Sequence, residues 1–379
     1  MKVTLWVDAL QPQLSGIGRY TWELSRGLPD HQEISKLYCL ARGRFVRDPA
    51  LLLHGEPPPR NRYLKGLQNK LQERTIRNTL FHGPNYFLPD FIERGVITVH
   101  DLSVFRFPET HPAERIAHFE RDFASALARA QHIITDTETI RQEVLATFGL
   151  QPEQVSVVPL GVDKSFRPRS NPEVAATLAA KGLAYGQYGL CVSTLEPRKK
   201  ISELIAAWRR LPNSLRENFP LVLAGGSGWQ NESLRVQIAK GAAEGWLRPL
   251  GFVAESELPD LYAGSALFVY PSTYEGFGLP PLEAMASGIP VIAALRSCLP
   301  EVCGPAALYL DPDNDEAFTS VLQRALEDEA WRAKSVREGI ARAETFTWER
   351  CIEGTVAVYC AANGIEEPAQ SLSAPLWQL

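Results

Sequence analysis

Short apolar runs alternate along the chain with stretches in which apolar residues recur at helical spacing. The runs predict about six strands in each half. In the first half they cover Val3–Asp8, Lys36–Ala41, Thr79–His82, Val96–His100, His132–Asp136 and Val155–Val158. In the second half they cover Gly189–Thr194, Pro220–Gly225, Leu247–Gly251, Ala266–Tyr270, Ile289–Ala293 and Ala306–Leu310. Because strands that alternate with helices favour parallel sheets covered by helices, each half is predicted to be a doubly wound α/β domain.

The stretch Pro159–Pro168 contains prolines and a glycine that interrupt both periodicities, so we expect the linker there. This divides the chain into domains 1–160 and 161–346. The remaining segment, 347–379, begins with a predicted helix from Thr347 to Ala362. That helix should pack against the protein, because apolar residues recur on one side of it at Trp348, Ile352, Val356 and Tyr359.

The composition is typical of a soluble globular protein. Of the 379 residues, 45% are hydrophobic and 22% are charged, and the formal net charge is −5. This balance excludes a generally basic nucleic-acid-binding protein and a highly acidic disordered chain. The six cysteines form no CxxC pair and show no zinc-site spacing, so we predict no metal site and expect reduced thiols.

The beginning of the chain, Met1–Asp8, is strand-like, and no uninterrupted apolar run reaches about 18 residues. We therefore expect a cytoplasmic protein, or one held peripherally on the inner face of the cell membrane. The segment Arg60–Arg77 carries six basic side chains against Glu73 alone. It predicts either contact with an anionic membrane surface or a solvated helix face.

Two candidate ligand contacts follow strands of the first half. Ser15–Tyr20 places Gly16 and Gly18 in a turn that opens a helix, where backbone N–H groups favour a phosphate. The alternative is a plain tight turn. His100 stands at the end of its strand, where the ring could bond a ligand hydroxyl; the alternative is a capping or core histidine.

Two basic residues follow the strand Gly189–Thr194. Within Thr194–Lys200, Arg198 and Lys199 stand at the predicted N-terminus of a helix, where positive charge opposes the helix dipole. Such charges are favourable there if an anion joins them, so the pair predicts a bound phosphate. The alternative is a solvated basic turn.

The most informative string runs from Tyr270 to Pro290. A strand ends near Tyr270, Glu275 opens a glycine-rich loop, and a helix is predicted to start near Pro280–Pro281, with Glu283 in its first turn. The two carboxylates are predicted to hold hydroxyls of one extended ligand; the alternative is a helix-capping acid plus a surface acid. The backbone N–H groups that are predicted to meet ligand oxygens belong to Gly276, Phe277, Gly278 and Leu279.

These residues resemble the motifs of a known family. Glu275–Glu283 resembles the E-x7-E signature of retaining glycosyltransferases of family 4, which have the GT-B fold. Ser15–Gly18 is similar to the family's donor-phosphate loop, with Ser15 in place of a glycine. His100, in Val-His-Asp-Leu, is similar to its sugar-side histidine, and Arg198 with Lys199 to its diphosphate-binding pair.

The resemblance implies two Rossmann-like domains that face each other across a cleft, with the tail helix crossing back to the N-terminal, acceptor-side domain. It implies a retaining, metal-independent hexosyltransferase whose nucleotide-sugar donor is held mainly by domain 161–346. In that reading Glu275, Phe277 and Gly278 hold the donor sugar, and Glu283 bonds the ribose. The diphosphate would be held by Arg198, Lys199 and the helix start near Leu279, with Gly16 beside it. The base would be bordered by Phe252 and Val253, and the acceptor would dock near His100.

The string Thr194–Lys200 resembles a version common among bacterial mannosyltransferases of polysaccharide and O-antigen assembly. It favours GDP-mannose as donor, a saccharide or lipid-linked acceptor, and no cofactor or nucleic-acid partner. A UDP-sugar, a dTDP-sugar or GDP-fucose stays open as donor, as does a nucleotide-sugar epimerase or hydrolase on the same scaffold. A dehydrogenase is disfavoured, because Thr21 stands where a GxGxxG loop needs its third glycine.

Overall fold

The computed structural model describes residues 1–56, 73–226 and 232–364. The chain divides into two compact units. The first unit comprises Met1–Gly161 and the chain from Trp348 onward, and the second comprises Val162–Thr347. Both junctions lie next to the positions at which the sequence predicts a change of domain.

The first unit contains a seven-stranded sheet in the order β3-β2-β1-β4-β5-β6-β7. Its strands are β1 Lys2–Trp6, β2 Lys36–Ala41, β3 Arg44–Val46, β4 Leu80–Gly83, β5 Gly95–Val99, β6 Ala130–Thr135 and β7 Val155–Val157. All neighbouring pairs are parallel except β2 and β3. The predicted parallel sheet is present, and the antiparallel edge strand β3 is an addition that we did not predict. The three-residue strand β3 is joined to β2 by a hairpin turn in which Arg42 and Gly43 have positive φ, and it is too short to show a periodicity.

The helices of the first unit cover its parallel sheet. They are Gly16–Gly27, Ala50–Leu53, Ser103–Arg106, Ala113–Arg129, Glu138–Phe148 and Trp348–Ala362. Residues 73–77 are also helical. The last helix packs on Gly16–Gly27, and the lack of a side chain on Gly27 leaves room for the end of the Ile352 side chain: a Cβ on Gly27 would lie 1.9 Å from Ile352 Cδ1. A buried hydrogen bond of 2.7 Å between His82 Nδ1 and the Tyr359 hydroxyl also joins this helix to β4.

The second unit contains a six-stranded sheet in the order β10-β9-β8-β11-β12-β13, with all pairs parallel. Its strands are β8 Gly189–Val192, β9 Leu221–Ala224, β10 Leu247–Gly251, β11 Leu267–Tyr270, β12 Val291–Ala294 and β13 Ala307–Leu310. Its helices are Asn171–Ala180, Ile201–Arg209, Asn213–Asn218, Glu232–Ala243, Leu258–Ala263, Leu279–Ala286, Leu299–Cys303, Asp315–Glu327 and Glu329–Ala343.

The order of the second sheet reverses between β8 and β11. At such a switch point the loops that follow the two strands diverge, and a crevice forms at the carboxyl edge of the sheet. Every residue of β11 is buried, so the strand is a fixed base for the loop that follows it. The loops after β8 and β11 carry Arg198, Lys199 and Glu275, and the topology therefore brings these three residues to one edge.

Within the described ranges, no helix is both long enough and apolar enough to cross a membrane. All six cysteine side chains are buried, and burial raises the pKa of several of them, for example that of Cys191 to about 12.

Candidate active site

The loop that carries Glu275 leads from β11 into the helix Leu279–Ala286. Gly278 precedes this helix with φ +101°, a conformation that side chains rarely adopt. A Cβ there would also lie 2.8 Å from Leu299 Cδ2. Pro280–Pro281 occupy the first turn, where the missing N–H groups have no helical partner to lose.

The helix begins at Leu279, so Glu283 lies in its second turn and not in the first as we predicted. Gly278 has a left-handed conformation and is the N-cap, so the helix begins directly after it, before the predicted start near Pro280–Pro281. Glu283 is half-buried. Burial and the nearby Glu283 carboxylate raise the pKa of Tyr262 well above its usual value.

The Glu275 carboxylate is buried, with 9% of the residue exposed, and is surrounded by donors. The ammonium of Lys199 forms a very short ion pair with Oε1, and the Tyr270 hydroxyl donates to the same oxygen over 3.0 Å. Arg198 Nη1 lies 3.5 Å from Oε2. Burial alone would raise the pKa of Glu275, but Lys199 and Arg198 outweigh it and lower the pKa to about 2. Glu275 is therefore an ionised acceptor at neutral pH.

Arg198 and Lys199 belong to a short 3-10 turn, Pro197–Lys199, that precedes the helix Ile201–Arg209. Arg198 Nε donates to Glu196 over 3.2 Å, and its Nη1 donates to the carbonyl of Tyr274 over 2.6 Å. Burial lowers the pKa of Lys199, against the opposing effect of Glu275. Two carboxylates, those of Glu196 and Glu275, thus balance the two cations.

This charge balance corrects one step of the sequence argument. We expected Arg198 and Lys199 to sit unbalanced at a helix N-terminus and so to require an outside anion. In the structure they lie in a separate turn and pair with protein carboxylates. Thr273 adds two bonds to the Arg198 carbonyl, 2.9 Å from its N–H and 3.0 Å from its hydroxyl. The loops after β8 and β11 therefore form one cross-linked unit.

The turn after β10 exposes an aromatic ring at the same edge of the sheet. Phe252 is 58% exposed while Val253 is buried, and Gly251 before them has φ +66°. A cavity of about 370 Å³ lies beside the ends of β8, β9 and β10. Its lining is mainly apolar and includes Ser193, Leu195, Gly225, Arg235, Ile238 and Gly251. Ligand pockets in proteins commonly span about 300–1,000 Å³, so this cavity suits a small ring system.

In the first unit, Ser15 caps the helix Gly16–Gly27 by accepting the N–H of Gly18 over 3.2 Å. Gly18 is buried against the preceding loop, and a Cβ there would lie 3.0 Å from the carbonyl oxygen of Ala9. Gly16 is exposed at the first helical position. The predicted turn-to-helix junction is present, with Gly16 placed where an anion would meet backbone N–H groups.

His100 is 7% exposed, and both of its ring nitrogens are engaged. Nδ1 lies 2.7 Å from Asp136 Oδ2, and Nε2 lies 2.9 Å from the carbonyl oxygen of Pro84. With Asp136 ionised, both nitrogens donate, which is the imidazolium form. Burial would lower the pKa of His100, but Asp136 outweighs it and the pKa is raised. We predicted a nitrogen available to a ligand hydroxyl; in this structure such a contact requires the exchange of an existing bond.

Tyr86 supports this pair from a strained backbone position. Its φ is +65°, and its hydroxyl accepts the N–H of Asp101 over 3.0 Å. Its ring meets His100 edge to face, with centroids 6.0 Å apart. Sequence reasoning did not select Tyr86 or Asp136. Asp136 ends the predicted strand beside that of His100, and because parallel neighbours share a carboxyl edge, this pairing was a signal that we could have used.

In the second unit, sequence reasoning missed Tyr270 and Glu196, both partners of the Glu275 cluster, although both stand inside the strings that we quoted. Most of the basic segment Arg60–Arg77 lies outside the described residues. Arg74 and Arg77, which are described, are exposed. Among residues 1–56, 73–226 and 232–364, no group of three or more His, Cys, Asp or Glu side chains is arranged to hold a metal ion.

Comparison with solved structures defines the class. Sucrose-phosphate synthase from Thermosynechococcus elongatus matches with a TM-score of 0.73 at 20% identity, over 97% of this chain and 100% of that one. WaaG, a glycosyltransferase involved in lipopolysaccharide biosynthesis, matches with a TM-score of 0.69 at 16% identity, over 94% and 99% of the two chains. These likenesses show the fold, that of the GT-B glycosyltransferases with two Rossmann-like domains, as predicted.

Comparison of sequences identifies the family. Residues 186–342 match "Glycosyl transferases group 1", and residues 14–166 match "Glycosyltransferase Family 4". The O-antigen chain mannosyltransferase B of Escherichia coli is 35% identical over 378 residues, 95% of this chain and 99% of that protein. The MMP alpha-(1->4)-mannosyltransferase of Mycolicibacterium hassiacum is 33% identical over 232 residues, 60% and 53% of the two chains. The chain belongs to family 4 of the glycosyltransferases, which confirms the resemblance.

Proposed function

We propose that this glycosyltransferase moves mannose from GDP-mannose to a saccharide or lipid-linked acceptor in bacterial glycan assembly. The observation that carries the proposal is the 35% identity, over 95% of the chain, to an Escherichia coli protein named as an O-antigen chain mannosyltransferase. We further propose retention of the anomeric configuration and no requirement for a metal ion.

The Glu275 loop suits the sugar of the donor. Because the pKa of Glu275 is lowered to about 2, its carboxylate accepts hydrogen bonds from sugar hydroxyls and does not act as a general acid near neutral pH. The N–H groups of the loop Gly276–Leu279 would donate to the remaining sugar oxygens. Each hydroxyl of a hexose can both donate and accept a hydrogen bond. The Glu275 carboxylate would accept such bonds, and the backbone N–H groups of the loop would donate them.

Arg198 and Lys199 suit the diphosphate. Cleavage of the bond between the anomeric carbon and the diphosphate oxygen sends the electron pair to the diphosphate, and cations fixed beforehand stabilise that charge. Lys199 is buried and Arg198 is half-buried in one loop, and Glu275 and Glu196 hold them. An arriving diphosphate would therefore compete with Glu275 for them.

The nucleoside would lie beyond the diphosphate. We assign Glu283 to the ribose and Phe252 with Val253 to the base, because the exposed Phe252 directly follows Gly251, which lines the cavity at the ends of β8–β10. In the first unit, Gly16 at a helix N-terminus would add a phosphate contact. His100 is assigned to the acceptor side.

For retention we propose front-side attack. The acceptor oxygen bonds to the anomeric carbon on the face that the diphosphate leaves, and the acceptor proton passes to a diphosphate oxygen. The protein's part is to orient the sugar through Glu275 and to stabilise the leaving group through Arg198 and Lys199. A lipid-linked acceptor would suit a peripheral position at the inner membrane face, with the segment Arg60–Arg77 as its proposed contact.

The test is calorimetry with GDP, UDP, dTDP and their sugar conjugates in EDTA, followed by turnover with and without saccharide acceptors. We expect selective binding of GDP and GDP-mannose, acceptor-dependent release of GDP, and an α-linked product by NMR. Selective binding of UDP would overturn the donor. Equal GDP release without acceptor would indicate a hydrolase, and loss of turnover in EDTA that Mg²⁺ restores would overturn metal independence.

A further inference from the structure

We infer that Ser297 and Cys298 are positioning residues that hold the Glu275 loop in its working orientation. They lie between β12 and the helix Leu299–Cys303, outside the E-x7-E string. The inference rests on the proposed function, because it assigns a task to the backbone of the donor-sugar loop.

Consecutive side chains bind the backbone of this loop at three points. The Ser297 hydroxyl donates to the Glu275 carbonyl over 2.8 Å and accepts the Glu275 N–H over 3.3 Å. The Cys298 thiol lies 3.1 Å from the Glu275 carbonyl and 3.2 Å from the Phe277 carbonyl, and donates toward both. Cys298 is fully buried, so water does not compete for its thiol.

The backbone of Ser297 is strained in order to make these contacts. Its φ is +52°, in the left-handed region that is unfavourable for any residue with a Cβ. Strain of this kind persists where the surrounding structure fixes it, and it concentrates at functional sites. Its cost to stability is offset here by bonds that all go to one loop.

The geometry of the peptide bond gives these contacts a directional consequence. In a trans peptide the C=O of one residue and the N–H of the next point in opposite directions within one plane. The chain has no cis peptide bond among its described residues. A hydrogen bond on the Glu275 carbonyl therefore aims the N–H of Gly276, and a bond on the Phe277 carbonyl aims the N–H of Gly278. The two residues that we call the brace, Ser297 and Cys298, thus fix donors that were predicted to meet the donor sugar.

The brace holds the Glu275 backbone, whereas Lys199, Arg198 and Tyr270 hold its carboxylate. Removal of the brace leaves these side-chain contacts in place, and with them the cations assigned to the diphosphate. We therefore expect the brace to affect the reaction of the sugar more than the binding of the nucleotide.

The experiment compares Ser297→Ala, Cys298→Ala and Cys298→Ser with the wild type. We expect kcat to fall about fivefold to fiftyfold in both alanine variants, since small misplacements of orienting groups are costly, while the Kd for GDP changes less than about twofold. Cys298→Ser keeps a donor and should recover most of the activity. Matched controls are Ser335→Ala, a buried serine bonded to the Ala306 carbonyl over 2.6 Å, and Cys303→Ala, a buried cysteine of the same unit. Both controls should retain wild-type kcat.

Two further readouts separate positioning from general stability. In a Glu275→Gln background, Ser297→Ala should still lower kcat about fivefold to fiftyfold, because the brace acts through the N–H groups of Gly276 and Gly278 and not through the Glu275 carboxylate. Hydrogen exchange of the peptide that covers 271–282 should speed up in Ser297→Ala but not in Ser335→Ala. Loss of the Ser297→Ala effect on kcat in the Glu275→Gln background, or unchanged exchange, would overturn the brace. If the wild type transfers no sugar from any donor, the proposed function fails, and the exchange data alone decide whether the brace exists.

Discussion

Each unit places a buried acid–base group at the carboxyl edge of its sheet. The two groups differ in how far their hydrogen-bonding atoms are already engaged with the protein. In the first unit, His100 uses both ring nitrogens, on Asp136 and on the Pro84 carbonyl. In the second, one carboxylate, Glu275, is shared by Lys199 and Arg198. We propose that a phosphate competes with Glu275 for the cations of the second group, whereas the first group must break a hydrogen bond before it meets a ligand.

The two groups also respond differently to pH. Glu275, with a pKa of about 2, stays ionised across the neutral range, and its arginine partner stays protonated. Burial opposes the charged form of the His100 imidazole, but Asp136 outweighs burial and raises its pKa. A rise in pH therefore discharges His100 in the first unit, whereas the group that it would discharge in the second is Lys199, whose pKa burial lowers.

Both groups are bordered by strained backbone. Among the described residues, four that are not glycine have positive φ: Arg42, Tyr86, Lys200 and Ser297. Tyr86 contacts His100, Lys200 follows Lys199, and Ser297 bonds the Glu275 backbone. Arg42 lies in the hairpin turn before β3. Strain thus concentrates at the two groups, as it does at functional sites generally.

The largest effect that we predict tests whether a phosphate competes with the Glu275 carboxylate for Lys199 and Arg198. Glu275→Gln should lower turnover by about tenfold to a hundredfold, because a contact that orients the sugar is lost. The same variant should bind GDP at least as tightly as the wild type, since the carboxylate that competes for Lys199 and Arg198 is gone. Kinetics and calorimetry measure the two effects separately.

The control for this prediction is Glu257→Gln, which alters a partly exposed ion pair of the same unit, that of Lys181 with Glu257 at 3.0 Å. It should leave both quantities near the wild-type values. Weaker GDP binding in Glu275→Gln would show that Glu275 supports the cations and does not compete with the phosphate for them.

The next effect is on binding. Lys199→Ala should weaken GDP binding by about 1.5–3 kcal/mol, the contribution of one charge-assisted contact. It should also lower the melting temperature, because Glu275 stays buried with one cation fewer. Calorimetry with Lys181→Ala as the control measures the first effect. GDP affinity equal to that of the wild type would remove Lys199 from the diphosphate site.

The smallest effect that we predict is the pH dependence of the stability that His100 contributes to the first unit. Since the pKa of His100 is raised in the folded protein, its contribution to stability is present below about pH 6.5 and is lost as pH rises through the folded value. The melting temperature of the wild type should therefore exceed that of His100→Gln most near pH 6, and the difference should shrink above it. Each kcal/mol lost corresponds to roughly 2–4 °C.

His82 does not disturb this comparison at pH 6 and above. Burial, with a contribution from His100, lowers the pKa of His82 to about 3, so His82 is neutral at these pH values in the folded wild type and, because burial remains, in folded His100→Gln. A melting-temperature difference that stays constant between pH 6 and pH 9 would show that His100 carries no raised pKa in the folded state.

The fold was largely predictable because the buried strands are apolar along their whole length. β11 and β12 have every residue buried, so a plain apolar run marks them. β3 has three residues, and its existence depends on a turn with positive φ at Arg42, which no apolar pattern signals.

The residues of the candidate site could be predicted from the sequence, but many of the contacts between them could not. The spacing of Glu275 and Glu283 is visible in the sequence, but the turn on which Glu283 falls depends on the conformation of Gly278. Lys199 and Glu275 are 76 positions apart, and their pairing follows from the switch of strand order between β8 and β11. The contribution of Ser297 was hidden, because a strained serine looks like any loop serine in a sequence.

The division of the first unit between two stretches of chain sets an order for its assembly on the ribosome. Tyr359, which bonds His82 in the core of that unit, is translated only after the whole of Val162–Thr347. At about 5–20 residues per second, those roughly 190 residues take about 10 to 40 s to synthesise. During that interval the nascent first unit lacks its last helix and leaves the groove at Gly27 and the ring of His82 uncovered. The second unit, made from one continuous stretch, can complete its fold first.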